Sequence, residues 1–169
     1  MIDASTTEKW ARERLDEERL QHTQGVVKMA VMLAHRYGVE EEKARIAAWG
    51  HDLFRRENYE KLCCMCREWG MKRPENYPTT GLLHGPAAAA FFISKGMVDR
   101  EILDAIHYHT VGRDGMGPLE QILFVADKCE ESRNYPGVEE LRALAEVDLA
   151  GTVEEIRENS RKRHGDKPS

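Results

Sequence analysis

Apolar residues recur along this chain with a helical period almost throughout. Between residues 7 and 37, Leu15, His22, Val26, Met29, Ala30, Leu33 and Tyr37 fall on one stripe, and Gly38 is placed to end the run. The stripe predicts that His22 points inward. A second helix should open at the acidic Glu40-Glu41-Glu42 and run through Ala44, Ala47 and Ala48, leaving His51-Asp52 at its C-terminal end. A third is expected over about 57 to 69.

The segment MKRPENYPTTGLL, with two prolines and a glycine, reads as irregular chain that delivers His84 to the start of the next helix. That helix is predicted over about 86 to 95, with Pro86 in its first turn. Asp99 should cap another, on which Ile102, Ile106 and His109 share a face while His107 points about 160° away. After the glycine-rich VGRDGMGP a helix is expected over about 118 to 131, carrying Leu119, Ile122, Leu123, Ala126 and, one turn after Leu123, Asp127. A last helix over about 137 to 162 uses Leu141, Leu144, Ala145, Leu149, Val153 and Ile156. No strand or internal repeat is visible, so the expected fold is all-α, a bundle of about six to eight helices.

Composition narrows the picture. A chain of 169 residues, 41% hydrophobic and 33% charged, suits a single globular domain, here with a core over about 15 to 160 and a tail, RKRHGDKPS, expected to fray. The net charge of -5 argues against binding a nucleic-acid duplex, leaving only local basic groups to hold phosphate. No apolar stretch reaches the roughly 18 residues of a membrane span, and the polar start MIDASTTEKWARER is unlike a signal peptide. A cytoplasmic protein is expected. The crowded Cys63, Cys64 and Cys66 lack a second CxxC partner and lie in a helical segment, so they read as packed thiols rather than a zinc half-site or redox pair.

His22, His51, Asp52, His84, His109 and Asp127 together form a dispersed set of imidazole and carboxylate groups, the ligand types of a hydrolytic metal site. Any one of them alone is read more simply as a hydrogen-bonded core residue, since an unpaired buried polar group costs a few kcal/mol. The ordered set, however, resembles the signature of the HD-domain metal-dependent phosphohydrolases, helical proteins named for the adjacent His-Asp pair. The surrounding segments RLQHTQGVVKMAVMLAHRYGV, AAWGHDLFR, LLHGPAAA, ILDAIHYHTVG and ILFVADKCEESRNYPGV are similar, within that family, to the symmetrical bis(5′-nucleosyl)-tetraphosphatases. Arg55 stands where lysine is expected, Trp49 where a smaller apolar residue is usual, and Val111 where a small polar residue is common; no ligand is lost.

The resemblance implies a dinuclear divalent metal site, iron first and manganese or another divalent ion as alternatives. His22, His51, Asp52 and Asp127 would hold one ion, His84 and His109 the other, and Asp52, the pivotal catalytic residue, would bridge them. It also implies attack by a metal-bridging hydroxide on diadenosine tetraphosphate, giving two ADP. Arg19, Gly25, Arg55, Thr110 and Arg133 would grip the substrate, and a homodimer follows by analogy. A solvated surface arginine is the alternative for Arg19, Arg55 and Arg133, and a helix-end hydroxyl for Thr110. His35, His107 and His164 are expected at the surface. Two other functions use the same residues: hydrolysis of a different nucleotide such as a monophosphate, or nucleotide sensing without turnover.

Overall fold

The computed structural model of the chain describes residues 1–164, which form nine α-helices, one 3-10 turn and no strand. The helices are α1 (Ala4–Arg14), α2 (Glu17–Tyr37), α3 (Glu41–Gly50), α4 (Tyr59–Glu68), α5 (Thr80–Ser94), α6 (Arg100–Tyr108), α7 (Pro118–Cys129), α8 (Val138–Ala145) and α9 (Leu149–His164). The all-α expectation holds, with more helices than the six to eight anticipated because two long apolar runs are each cut in two.

The cuts have local causes. Leu15 is extended and the Asp16 side chain accepts the Arg19 N–H at 2.8 Å, so α1 ends and α2 begins inside one uninterrupted stripe. Asp148 does the same between α8 and α9, accepting the Gly151 N–H at 2.8 Å. The helix expected from residue 86 starts at Thr80, since the Thr79 hydroxyl accepts the Leu82 N–H at 3.1 Å and nucleates a turn upstream of the proline. Pro86 therefore lies inside α5, and the TTGLL end of the supposed loop is mostly helical. Gly38 ends α2 in the left-handed conformation, as its position suggested. Helix α9 continues through Arg161–His164, where fraying was expected; the rest of that tail, 165–169, lies outside the described residues.

Helices α2, α3, α6 and α7 pack on one another at the centre, with α1 against α3, α5 against α6, and α8 and α9 against α7. Helix α5 is buried without a break from Leu83 to Phe92, which explains its lack of a polar face. Cys63 and Cys66 are buried on α4, Cys64 is exposed, and all four cysteines are free. Burial pushes the Cys66 thiol up to about 11, so it packs as a small apolar group. No helix of the described residues is long and apolar enough to cross a membrane.

The last residue of α3, Gly50, fixes how closely α3 meets α5. A Cβ there would lie 2.4 Å from the Phe92 ring. We therefore expect Gly50→Ala to destabilise the protein by about 1–3 kcal/mol despite alanine's better helix propensity. Thermal denaturation checks this, and an unchanged or higher Tm would mean that the ring moves aside freely.

Candidate metal centre

The six residues proposed as ligands come from five helices and meet in one place. His22 projects from the second turn of α2, His51 is the C-cap of α3 with Asp52 next to it, and His84 lies in the second turn of α5. His109 is the C-cap of α6, and Asp127 lies near the end of α7. The first five are buried, whereas the Asp127 side chain, 13% exposed, stands at the mouth. Gly85 permits the meeting of α5 with α6: a Cβ there would sit 3.0 Å from the carbonyls of Ile106 and His107.

Potential donor atoms gather in two groups that share His51: His22, His51 and Asp127, and His51, Asp52 and His109. His22 Nε2 is 3.0 Å from Asp127 Oδ1, and His51 Nε2 is 3.4 Å from the same oxygen. His84 Nε2 stands 3.2 Å from Asp52 Oδ1 and 3.0 Å from His109 Nε2. The Asp52 carboxylate has two sides. Its Oδ1 faces His51, His84 and His109, while Oδ2 faces His22 at 3.8 Å and the guanidinium of Arg19.

Three histidines are oriented by backbone carbonyls. Nδ1–H donates to Ala48 from His51 at 2.6 Å, to Thr80 from His84 at 3.1 Å and to Ile106 from His109 at 2.7 Å. A carbonyl only accepts, so each Nδ1 carries a proton, and each ring in its neutral form turns an Nε2 lone pair inward. The lone pairs of His84 and His109 then oppose each other, and His51 Nε2 is buried without a hydrogen-bond partner. Convergent nitrogen donors beside two carboxylates fit divalent cations, which would give the donors of each group a shared partner; His84 stands beside the second group through Asp52 and His109.

The charges agree. Burial opposes ionisation of Asp52, but His51 and His84 hold its carboxyl well below the usual carboxylate range. Burial likewise works against the Asp127 carboxylate, and Lys128, His22 and His51 overcome it. For His109, burial and the neighbouring His84 and His51 push the pKa well down, keeping the ring neutral and able to donate its lone pair.

Among the residues expected to grip substrate, Arg19 and Arg133 lie at the cluster. Arg19 contacts Asp52, and Arg133 donates from Nε to the Asp127 carbonyl at 3.1 Å with another nitrogen 3.8 Å from Asp127 Oδ1. Thr110 adjoins His109, its hydroxyl 3.4 Å from Nε2. Arg55 is half-buried one turn after Asp52, and its recorded bond to the site is from its backbone N–H to the Asp52 carbonyl at 3.0 Å. Gly25 is occupied from another direction: the Glu130 carboxylate fills the space its Cβ would take.

His107 corrects the surface expectation. It does point away from the cluster, but it is half-buried and its Nε2 pairs with the Tyr77 hydroxyl at 3.1 Å. The segment 71–79 returns over this face of α6, which helical facing could not reveal. His35 and His164 are exposed, as expected.

Three residues that periodicity did not single out organise the site. Lys128 donates to the carbonyls of His109 and Thr110, closing the end of α6, and lies 3.1 Å from Asp127. Arg142 of α8 donates to the carbonyls of Cys129, Glu130 and Arg133 at 2.6–2.7 Å, which holds the turn after α7. Glu130 is fully buried. All three contacts are long-range or lie outside a helical stripe; the one local sign was the crowding of Lys128 and Glu130 into ADKCEESR beside Asp127.

Clefts adjoin the cluster on the Arg133 side. One of about 270 Å³ is lined by Arg19, His22, Ser132, Arg133, Asn134 and Tyr135, among others. Another of about 610 Å³ runs from Asp127, Lys128 and Arg133 to Lys162 and Arg163.

The HD domain pattern matches residues 19–132, an interval containing all six converging residues. A symmetrical bis(5′-nucleosyl)-tetraphosphatase of Bacillus subtilis is 42% identical over 143 residues, 82% of this chain and 75% of that protein. One from Halalkalibacterium halodurans is 38% identical over 140 residues, with the same coverage of both chains. The crystal structure of an HD superfamily hydrolase ascribed to NAD metabolism in Clostridium acetobutylicum superposes with a TM-score of 0.87 at 34% identity, covering 98% of this chain and 89% of that one. With this fold, this cluster and these relatives, the chain belongs to the HD-domain family.

Proposed function

We propose that the protein is a metal-dependent phosphohydrolase that cleaves diadenosine tetraphosphate symmetrically into two ADP. The observation that carries the metal chemistry is the two-sided Asp52 carboxylate, set among inward-facing imidazole nitrogens, one of which has no other partner. The substrate class comes from the symmetrical tetraphosphatases that share most of the chain. His22, His51 and Asp127 would hold one divalent ion and His84 and His109 a second, with Asp52 offering one oxygen to each side. When bound, such a pair supplies Lewis acidity at phosphorus and lowers the pKa of a shared water towards neutrality.

The chain's own groups do the rest. Backbone carbonyls hold three imidazoles with Nε2 inward, so these donors need little rearrangement, whereas Arg19 would have to release Asp52 Oδ2 for an ion to take its place. Arg19 and Arg133 present guanidinium groups at the mouth, where a polyphosphate would lie, and Lys128 adds a third positive charge. Symmetric cleavage needs attack at a phosphorus next to the central bridging oxygen, so one ADP half must be held while the other departs. The adjoining clefts offer room for the two halves. Gly25 and Arg55 contribute less directly, the first through packing and the second as a charge one turn from Asp52. The mixed nitrogen and oxygen donors suit iron, with manganese or another divalent ion as alternatives. A cytoplasmic homodimer accompanies this reading by family analogy.

Incubating pure protein and divalent metal with diadenosine tetraphosphate, AMP or ADP, then separating the products, tests the assignment. ADP alone from the tetraphosphate is expected. ATP plus AMP would refute symmetric attack, preferential loss of phosphate from AMP would favour a monophosphatase, and no turnover with any divalent ion would favour a sensor.

Asp52→Ala should lose turnover by several orders of magnitude and also lose bound metal, because it serves both sides of the cluster. Unchanged metal stoichiometry by elemental analysis would count against a bridging role. His109→Ala should abolish most turnover, while His107→Ala should retain it and lower stability by about 1 kcal/mol through the lost Tyr77 bond. Equal kinetic damage from the two would contradict the facing of α6.

A further inference from the structure

Three of the four clustered histidines have a backbone carbonyl to accept their Nδ1–H, and His22 does not. It lies in the second turn of α2, as His84 does in α5, but its ring turns Nδ1 away from the helix's own carbonyls, whereas His51 and His109 stand at helix ends and His84 reaches Thr80. What faces His22 Nδ1 is the Glu130 carboxylate, with Oε2 at 3.6 Å. At 3.6 Å this lies just beyond a hydrogen bond, and a neutral ring with its proton on Nδ1 meets the carboxylate through the N–H dipole.

Glu130 is built into place. Its side chain is fully buried, and Oε1 accepts the Ser132 N–H at 2.6 Å together with the Ser132 hydroxyl. The Ser132 hydroxyl also lies 2.9 Å from Oε2, so the carboxylate is held through both oxygens, with Oε2 on the α2 side. There the chain carries Gly25, three residues after His22 and on the same face, and a Cβ at that position would stand 2.6 Å from Oε2 and 2.9 Å from Cδ. Any larger residue would push the carboxylate away from the ring. Arg142 clamps the Glu130 carbonyl at 2.7 Å, so the turn has little freedom to yield.

We propose that Glu130 is a positioning residue that orients the His22 imidazole through Nδ1, holding Nε2 towards Asp52 and Asp127, and that position 25 is glycine to admit that carboxylate. The inference rests on the reading of His22 as a metal ligand. A carboxylate behind a ligating histidine fixes the ring's tautomer and raises its basicity, and loss of such a partner weakens metal affinity by about 10–100-fold.

Titration of metal-free protein with Mn²⁺ alone, followed by calorimetry, reads this without any substrate. Glu130→Gln should weaken the tightest Mn²⁺ binding by about 10–100-fold, and Gly25→Ala should weaken it in the same direction. In a His22→Ala background the added Glu130→Gln change should alter affinity by less than about 2-fold, since the ring through which it acts is gone. Turnover of Glu130→Gln should recover most of the wild-type kcat at saturating Mn²⁺. Thermal melts of the metal-free variants confirm folding, and if Glu130→Gln does not fold, Glu130→Asp, which keeps the charge but withdraws it by one methylene, is read the same way.

Wild-type affinity in Glu130→Gln, or an equal loss with and without His22, would overturn the proposal. Wild-type protein that binds Mn²⁺ but leaves diadenosine tetraphosphate intact would refute the substrate assignment while leaving the role of Glu130 standing. Failure of the wild type to bind Mn²⁺ would overturn both.

Discussion

A carboxylate buried at the junction of several helices is the constraint around which this molecule is arranged. Asp52 is 1% exposed, and taking such a charge out of water costs several kcal/mol unless other groups replace the lost solvation. Here the replacement is divided. Arg19 and the His22 imidazole address one oxygen, and the imidazoles of His51, His84 and His109 address the other. Because those groups come from α2, α3, α5 and α6, satisfying one side chain dictates the relative placement of four helices.

Close helix approach is the second requirement, and small residues supply it at the points where the donors must meet. Gly50 lets α3 reach the Phe92 ring of α5, immediately before the His-Asp pair. Gly85 brings α5 against the carbonyl end of α6, setting His84 beside His109. Gly25 admits the Glu130 carboxylate next to His22. At each position the missing Cβ is replaced by an atom of the site's own framework, so these glycines are explained by packing rather than by backbone conformation.

Helix ends do double service. The C-caps of α3 and α6 carry His51 and His109, and carbonyls of their last turns accept the Nδ1–H groups, which orients the rings and satisfies backbone oxygens that the helix itself leaves free. Lys128 completes the end of α6 in the same way while standing beside Asp127. A metal centre made from such elements would be rigid on three histidines and, on the role proposed for Glu130, dependent at His22 on a side chain.

Much of this was legible along the chain, because helical period and capping chemistry are local. The stripe around His22, the stop at Gly38, the cap at Asp99 and the facing of His109 over His107 follow from residues within a few turns of one another. The six candidate ligands became recognisable as a set through resemblance to a family, as separation in sequence hides any meeting of His22 with Asp127. Local reasoning failed where one side-chain bond outweighed an apolar stripe or a proline: at Asp16, Asp148 and Thr79, each of which starts a helix where pattern alone did not. It also missed Tyr77 against His107, Lys128 against the end of α6 and Glu130 against Gly25. Helix identity and inward facing are thus properties of neighbouring residues. Which buried group answers which is a property of distant segments, settled only when the helices pack and each desolvated charge has to find a partner.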